Sequence, residues 1–316
     1  MAVTLGTDLL VRYPRFSLYN SPYPAHDAGR AVDLYLDQRR DAPAPSPVAG
    51  EVVDTYSVRA PSKSYAPEQD HLITVAVDVE ATPGLACASP VDADALVARI
   101  MHVDPAVAPG DRVEPGDTLG TTVRAGFFAP WVGDHLHVGF RHADQNQLRA
   151  RGSLPLSVDA AVESLDWDGT GTVVETGETY AVLDSPAHPA PDERFVGIAA
   201  DGGGVLDGGL RHYDGGGLLC DDENGDAASA GDAVSFLGTP VGAVSGTDTA
   251  GEVRTVDWGN VAVYANGTRV TGLSLFAAQD DGFGAKIVGD GHGLSVGDNV
   301  TVEIRETDDP TILESG

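Results

Sequence analysis

Short runs in which apolar and polar residues alternate recur along this chain, and no stretch carries the 3.6-residue period of a long amphipathic helix. In the first half the runs are Gly50–Val58, His71–Val79, Ala95–Val103 and His135–Phe140. In the second they are Gly171–Glu175, Tyr180–Leu183, Val253–Trp258, Asn260–Ala265 and Asn299–Ile304. Pro and Gly punctuate them, as in Pro43-Ala-Pro-Ser-Pro47 and Pro115-Gly-Asp117, where special backbone angles turn the chain. A doubly wound α/β fold needs a helix after each strand, and the pattern supplies none. The expectation is an all-β chain of two β-rich domains. The first is an N-terminal antiparallel β-sheet domain and the second a C-terminal β-sandwich or barrel. At 316 residues, 42% of them apolar, there is material for two cores.

Composition places the boundary near residue 160. The first 160 residues hold 11 glycines and the remaining 156 hold 28, which predicts domains 1–160 and 161–316. Ser157–Leu165 has helical spacing and is expected to form a short connector. In the second half, Asp201-Gly-Gly-Gly204, Asp207-Gly-Gly209 and Asp214-Gly-Gly-Gly217 follow one another at spacings of six and seven. The nine-residue calcium repeat of β-solenoids is missing, so turn chemistry is the expected role. His188, His212 and His292 are isolated from one another and read as surface or turn residues. The second half is expected to be an accessory domain without a catalytic centre.

The charge narrows the functional classes. Acidic residues outnumber basic ones 48 to 19, for a net charge of −29, and 35 of the acids are aspartate while only Lys63 and Lys286 are lysine. Such a field repels phosphate backbones and anionic lipid, which disfavours nucleic-acid and membrane partners. Many aspartates and almost no lysine resemble the composition of proteins from salt-loving organisms with a saline cytoplasm. No apolar run approaches the ~18 residues of a spanning helix. The start Met-Ala-Val-Thr-Leu-Gly-Thr-Asp lacks a basic, hydrophobic leader, so a cytoplasmic location is expected. Cys87 and Cys220 are too few for a disulfide framework or thiolate metal site and are expected as small buried hydrophobes.

Histidine carries the chemical signal. In Gly133-Asp-His135-Leu-His137-Val-Gly-Phe140 the two histidines lie two apart on an alternating run, so both imidazoles face one side. Upstream stand His26, Asp33 and the lone His102. A catalytic zinc takes three ligands from His, Asp or Glu and keeps an open position for water. His26, Asp33 and one histidine of the pair make such a set. The other histidine and His102 remain as proton-transfer or transition-state groups. His142 falls past the expected strand and is left out.

The order of these motifs resembles the LytM/lysostaphin-type zinc metallopeptidases, peptidase family M23. The matching stretches are His26…Asp33, Pro47-Val-Ala-Gly-Glu-Val-Val53, His102-Val-Asp, Val107-Ala-Pro-Gly-Asp-Arg-Val-Glu-Pro-Gly-Asp-Thr-Leu-Gly120 and Gly133-Asp-His-Leu-His137, within residues 20–155. The resemblance implies a small antiparallel β-sheet fold with a groove over the metal. It implies Zn2+ held by His26, Asp33 and His137, with His135 activating water and His102 supporting the oxyanion or sharing the proton work. A peptide or amide is the implied substrate. One feature departs from the pattern. Typical members place three residues between the first His and the Asp, whereas six intervene here and Arg30, which cannot bind zinc, stands at the usual spacing. Asp33 reaches the metal if the turn bulges by three residues.

Two other readings compete with a zinc endopeptidase or amidase. One is a catalytically retired domain of the same fold that binds a ligand or partner. The other is a biotinyl- or lipoyl-type carrier, whose Val-x-x-Gly-Asp repeat is similar. A carrier needs an attachment lysine on a hairpin, and neither Lys63 nor Lys286 lies in such a motif.

The charge generates a direct expectation. At molar salt the Debye length shrinks to about 3 Å, which screens the self-repulsion of a chain carrying −29. Melting temperature should rise as potassium chloride goes from dilute to molar. A flat or falling profile would contradict the salt-adapted reading.

Overall fold

The computed structural model describes residues 2–26, 28–36, 42–88, 95–219, 229–247, 253–311 and 313. Among these the protein is nearly all β, and its one α-helix is the four-residue turn Thr7–Leu10. No helix among the described residues is long and apolar enough to cross a membrane. The chain packs as two compact units. One comprises Met1–Phe16, Gly29–Ala160 and Gly316, and the other Ser17–Ala28 and Ala161–Ser315.

The first unit is organised by an antiparallel sheet that runs Arg112–Val113, Gly50–Arg59, Gln69–Val77, Leu96–Met101, His135–His142, Val32–Tyr35. Each strand feeds the core through its apolar positions. Val32, Leu34, Ile73, Val75, Ala98, Ile100, Leu136, Val138 and Phe140 are all buried. Burying side chains of this kind contributes about 1.5–3 kcal/mol each. Two small sheets complete the unit. In one, Val3–Gly6 pairs in parallel with Leu156–Asp159 and antiparallel with Leu85–Cys87. In the other, Thr118–Thr122 lies between Pro43–Pro45 and Val103–Pro105. Arg141 ties the loop after the histidine strand, donating to the carbonyls of Arg149 at 2.6 Å and Arg151 at 2.9 Å.

The second unit holds a 12-stranded antiparallel sheet. Its order runs Ala233–Phe236, Thr239–Thr247, Val253–Trp258, Gly215–Leu219, Val205–Leu210, Gly272–Leu275, Lys286–Val288, Tyr180–Leu183, Thr170–Thr176, Asn299–Glu306, Val261–Ala265, Thr268–Arg269. Trp167, Phe236, Trp258, Phe276 and Phe283 are the large members of its apolar core.

Several expectations are corrected here. Ser157–Leu165 is not a helix. Leu156–Asp159 and Val162–Leu165 are strands, and each joins an available edge in parallel, the latter beside Phe195–Ile198. Backbone pairing outweighs a weak periodicity over nine residues. Two of the three glycine clusters are strand rather than turn, because Asp207 pairs with Gly217 and Gly208 with Gly216 across neighbouring strands. Cys87 is half-buried at a short strand's end rather than in the core, and Cys220 lies outside the described residues. The histidine strand runs through His142. His212 is fully buried, against the expectation of a surface or turn residue.

The burial of His212 has a thermodynamic consequence. Desolvation, with Lys286 adding repulsion, pushes its imidazole down to about 3. Below its ordinary value of 6.5 the unfolded chain takes up a proton that the folded chain refuses. Stability is therefore lost as pH falls from 6.5 toward 3, by up to about 1.4 kcal/mol per pH unit. Asp207, pushed up to about 7 by burial, works in the opposite direction. A comparison between His212→Leu and the parent isolates the histidine. The stability of the variant relative to the parent should grow as pH falls from 6.5 to 4, read from urea midpoints. A difference independent of pH would contradict a buried neutral imidazole.

Candidate metal centre

The pairing of two strands sets the site. In the antiparallel ladder between Val32–Tyr35 and His135–His142, Asp33 stands opposite His137 and Tyr35 opposite His135. Residues opposite one another in a ladder carry their side chains on the same face. Asp33 Oδ1 accordingly lies 3.1 Å from His137 Nδ1 and 3.6 Å from His135 Nε2. Asp33 is buried and the His137 side chain keeps 12% exposure.

His26 completes the group. His26, Asp33 and His137 each offer one ligand atom, and these atoms all lie within 4.8 Å of one another. The longer spacing is absorbed before the strand. His26 closes a turn on the carbonyl of Tyr23 at 2.8 Å, and Gly29 takes the left-handed conformation with φ of 57°. A side chain at Gly29 would strain that turn. Arg30 donates to the carbonyl of Ser153 at 3.0 Å.

Hydrogen bonds fix the histidine tautomers, since a carbonyl oxygen can only accept. His26 Nδ1–H donates to the carbonyl of Leu18 at 2.6 Å, which leaves Nε2 as its bare nitrogen. His135 Nδ1–H donates to the carbonyl of Gly133 at 2.9 Å, so its bare nitrogen is the one near Asp33. The donor set is two imidazoles and a carboxylate, with one imidazole held from behind by a backbone carbonyl. That chemistry suits a borderline divalent ion such as zinc.

His102 stands at the other side of His135, with ring centroids 5.1 Å apart, and 5.9 Å from the ring of His137. Its backbone is left-handed, with φ of 70°, a conformation that costs a residue other than glycine of order 1 kcal/mol or more. What holds it is Asp70, a residue that motif spacing did not single out. Asp70 is fully buried and its Oδ2 lies 2.7 Å from His102 Nδ1. Its Oδ1 accepts the backbone N–H of His71 at 2.8 Å. The backbone N–H of His102 is bound in turn by the carbonyl of His71 at 3.2 Å. A carboxylate behind Nδ1 orients the ring.

Phe128 covers this pair. Its ring stacks on His135 at 4.4 Å and meets His102 edge-on at 4.7 Å. Phe128 is held in turn by its own carbonyl, which accepts from Tyr65 Oη at 2.7 Å. His102, His135 and Phe128 are each no more than 5% exposed. His142 stays apart from this group, at the far end of the strand, where Gln145 Oε1 accepts its backbone N–H at 2.9 Å.

Removing Asp70 tests the bond behind His102. Asp70→Ala strands the His102 ring N–H and the His71 N–H, and the first unit should lose about 2 kcal/mol in denaturant unfolding. Asp70→Asn should keep more of that stability than Asp70→Ala. Equal stability of all three proteins would mean the bond is not formed in solution.

Comparison with known proteins places the whole chain. Residues 4–158 match the model for the "Domain of unknown function (DUF8155) N-terminal domain" and residues 163–305 match the DUF8155 C-terminal domain. The sequence matches no curated protein. Among solved structures, the catalytic domain of the antimicrobial peptidase lysostaphin from Staphylococcus simulans is similar at 18% identity and a TM-score of 0.28, over 45% of this chain and 90% of that one. The deep-sea M23 metalloprotease pseudoalterin is similar at 12% identity and a TM-score of 0.26, over 42% and 68%. The solution structure of lysostaphin is similar at 12% identity and a TM-score of 0.27, over 85% and 89%. These likenesses are remote, whereas the two family models follow one another through both halves, and the chain belongs to the DUF8155 family.

Proposed function

We propose that this protein is a zinc-dependent hydrolase of peptide or amide bonds, with His26, Asp33 and His137 as metal ligands. The observation that carries the reading is the meeting of those three ligand atoms within 4.8 Å, beside two histidines whose outer nitrogens are fixed from behind. The M23-like order of the motifs supports it.

Bound zinc would act as a Lewis acid toward water and the scissile carbonyl. The chain's own residues do the rest. His135, with Nδ1–H held by the Gly133 carbonyl, offers Nε2 to take the proton of the attacking water. The same nitrogen returns that proton to the leaving amine as the carbon–nitrogen bond breaks. His102, its ring held in place by Asp70, supports the oxyanion or shares the proton work. Phe128 covers one face of the His135 ring and narrows the space for a substrate there.

That last contact favours a second reading, a retired domain that keeps the metal and binds a partner without turnover. Elemental analysis and hydrolysis of a peptide library separate the two. About one zinc per chain with cleavage supports the enzyme, and zinc without cleavage supports the retired domain. His137→Ala should lose the metal. His135→Ala should keep it and lose turnover by about 10²–10⁴-fold. Absence of zinc from the parent after loading would overturn both readings, and equal metal loss in the two variants would reverse their roles.

A further inference from the structure

The residue that organises the His26 segment comes from the far half of the sequence. Ser17–Ala28 packs within the second unit, and its first turn is built around the buried carboxylate of Asp207. The Ser17 hydroxyl bonds Asp207 Oδ1, and the backbone N–H of Leu18 donates to Oδ2 at 2.7 Å. Ser17 Oγ in turn accepts the backbone N–H groups of Tyr19 at 3.3 Å and Asn20 at 3.0 Å. The carbonyl of Leu18, whose amide Asp207 holds, receives the His26 ring at 2.6 Å. A continuous path of hydrogen bonds and one residue of backbone therefore joins Asp207 to the imidazole.

The strand glycines belong to the same device. A Cβ on Gly217 would lie 2.3 Å from the ring of Tyr19, so only glycine there admits that ring. The Tyr19 hydroxyl then meets Thr255 Oγ1 at 3.1 Å, and Asn20 Nδ2 reaches Ser274 Oγ at 2.7 Å. Side chains of three strands thus grip four consecutive residues. This is the role of a glycine-rich strand pair that turn chemistry does not explain.

We infer that Asp207 is a positioning residue for metal capture, holding the Ser17–Asn20 turn so that the Leu18 carbonyl fixes the His26 tautomer and ring direction. The inference rests on the reading of His26 as a metal ligand. It makes the second half necessary to the metal centre, where the sequence predicted an accessory domain without a catalytic centre. A direct partner of a metal-ligating histidine, here the Leu18 carbonyl that Asp207 holds in place, typically changes metal affinity by about 10–100-fold.

The experiment uses the full chain and two readouts. Zinc affinity is measured by competition with a chromophoric chelator, and the His26 tautomer by nitrogen-15 NMR of the imidazoles without metal. Asp207→Asn is expected to bind zinc about 10–100-fold more weakly and to mix the two His26 tautomers, where the parent shows Nδ1–H alone. Ser17→Ala, a smaller change that leaves the Leu18 bond in place, should move both readouts in the same direction by less. It serves if Asp207→Asn does not fold. Parent-like affinity and tautomer in whichever variants fold would overturn the inference. A tautomer change in the variants, with no zinc bound by the parent, would uphold the positioning role and overturn the metal reading instead.

Discussion

The ladder between Val32–Tyr35 and His135–His142 is the constraint on which the site depends. Its register sets Asp33 against His137 and Tyr35 against His135, and a slip of one residue would send these side chains to the opposite face. The register is itself enforced by burial. Leu34, Leu136, Val138 and Phe140 are fully or almost fully buried in the first unit, so a slipped strand would expose apolar surface or bury charge. Core packing thus determines the spacing of polar atoms that have no attraction for the core.

Around that ladder, polar groups are placed by bonds from behind. The Gly133 carbonyl, the Asp70 carboxylate and the Leu18 carbonyl each take one ring N–H, from His135, His102 and His26 in turn. Each bond leaves the opposite nitrogen as the chemically available one. The left-handed backbone of His102 is consistent with a residue held against its local preference by its surroundings. The low exposure of His102 and His135 beneath Phe128 raises the strength of electrostatic interactions there and limits entry.

Much of this is legible in the chain itself, for local reasons. Alternation finds Tyr180–Leu183 and Val253–Trp258 with their observed bounds, and it places His135 and His137 on one face. What escapes sequence reading is long-range. Asp70 is 32 residues from His102 and Asp207 is 189 from Leu18, and each is one of 35 aspartates in a chain whose surface is crowded with them. Only burial distinguishes them, and burial is a property of the fold. The strand glycines escape for a related reason. A missing side chain signals either a turn or a close neighbour, and the neighbour, Tyr19, lies far away in sequence. The Ser157–Leu165 segment shows the opposite error, where a faint helical period yields to the pairing offered by Val3–Gly6 and Phe195–Ile198.

The anchoring of Ser17–Ala28 also bears on the order in which the protein is made. Leu18 and Asp207 are separated by 189 residues, and a ribosome adds about 5–20 residues per second. For roughly ten to forty seconds of synthesis the early segment is complete and its anchor does not yet exist. The first unit's sheet has all its strands by His142, whereas the bonds that hold Ser17 and Leu18 must wait for Asp207. Translation speed therefore sets how long the Ser17–Asn20 turn waits for its anchor.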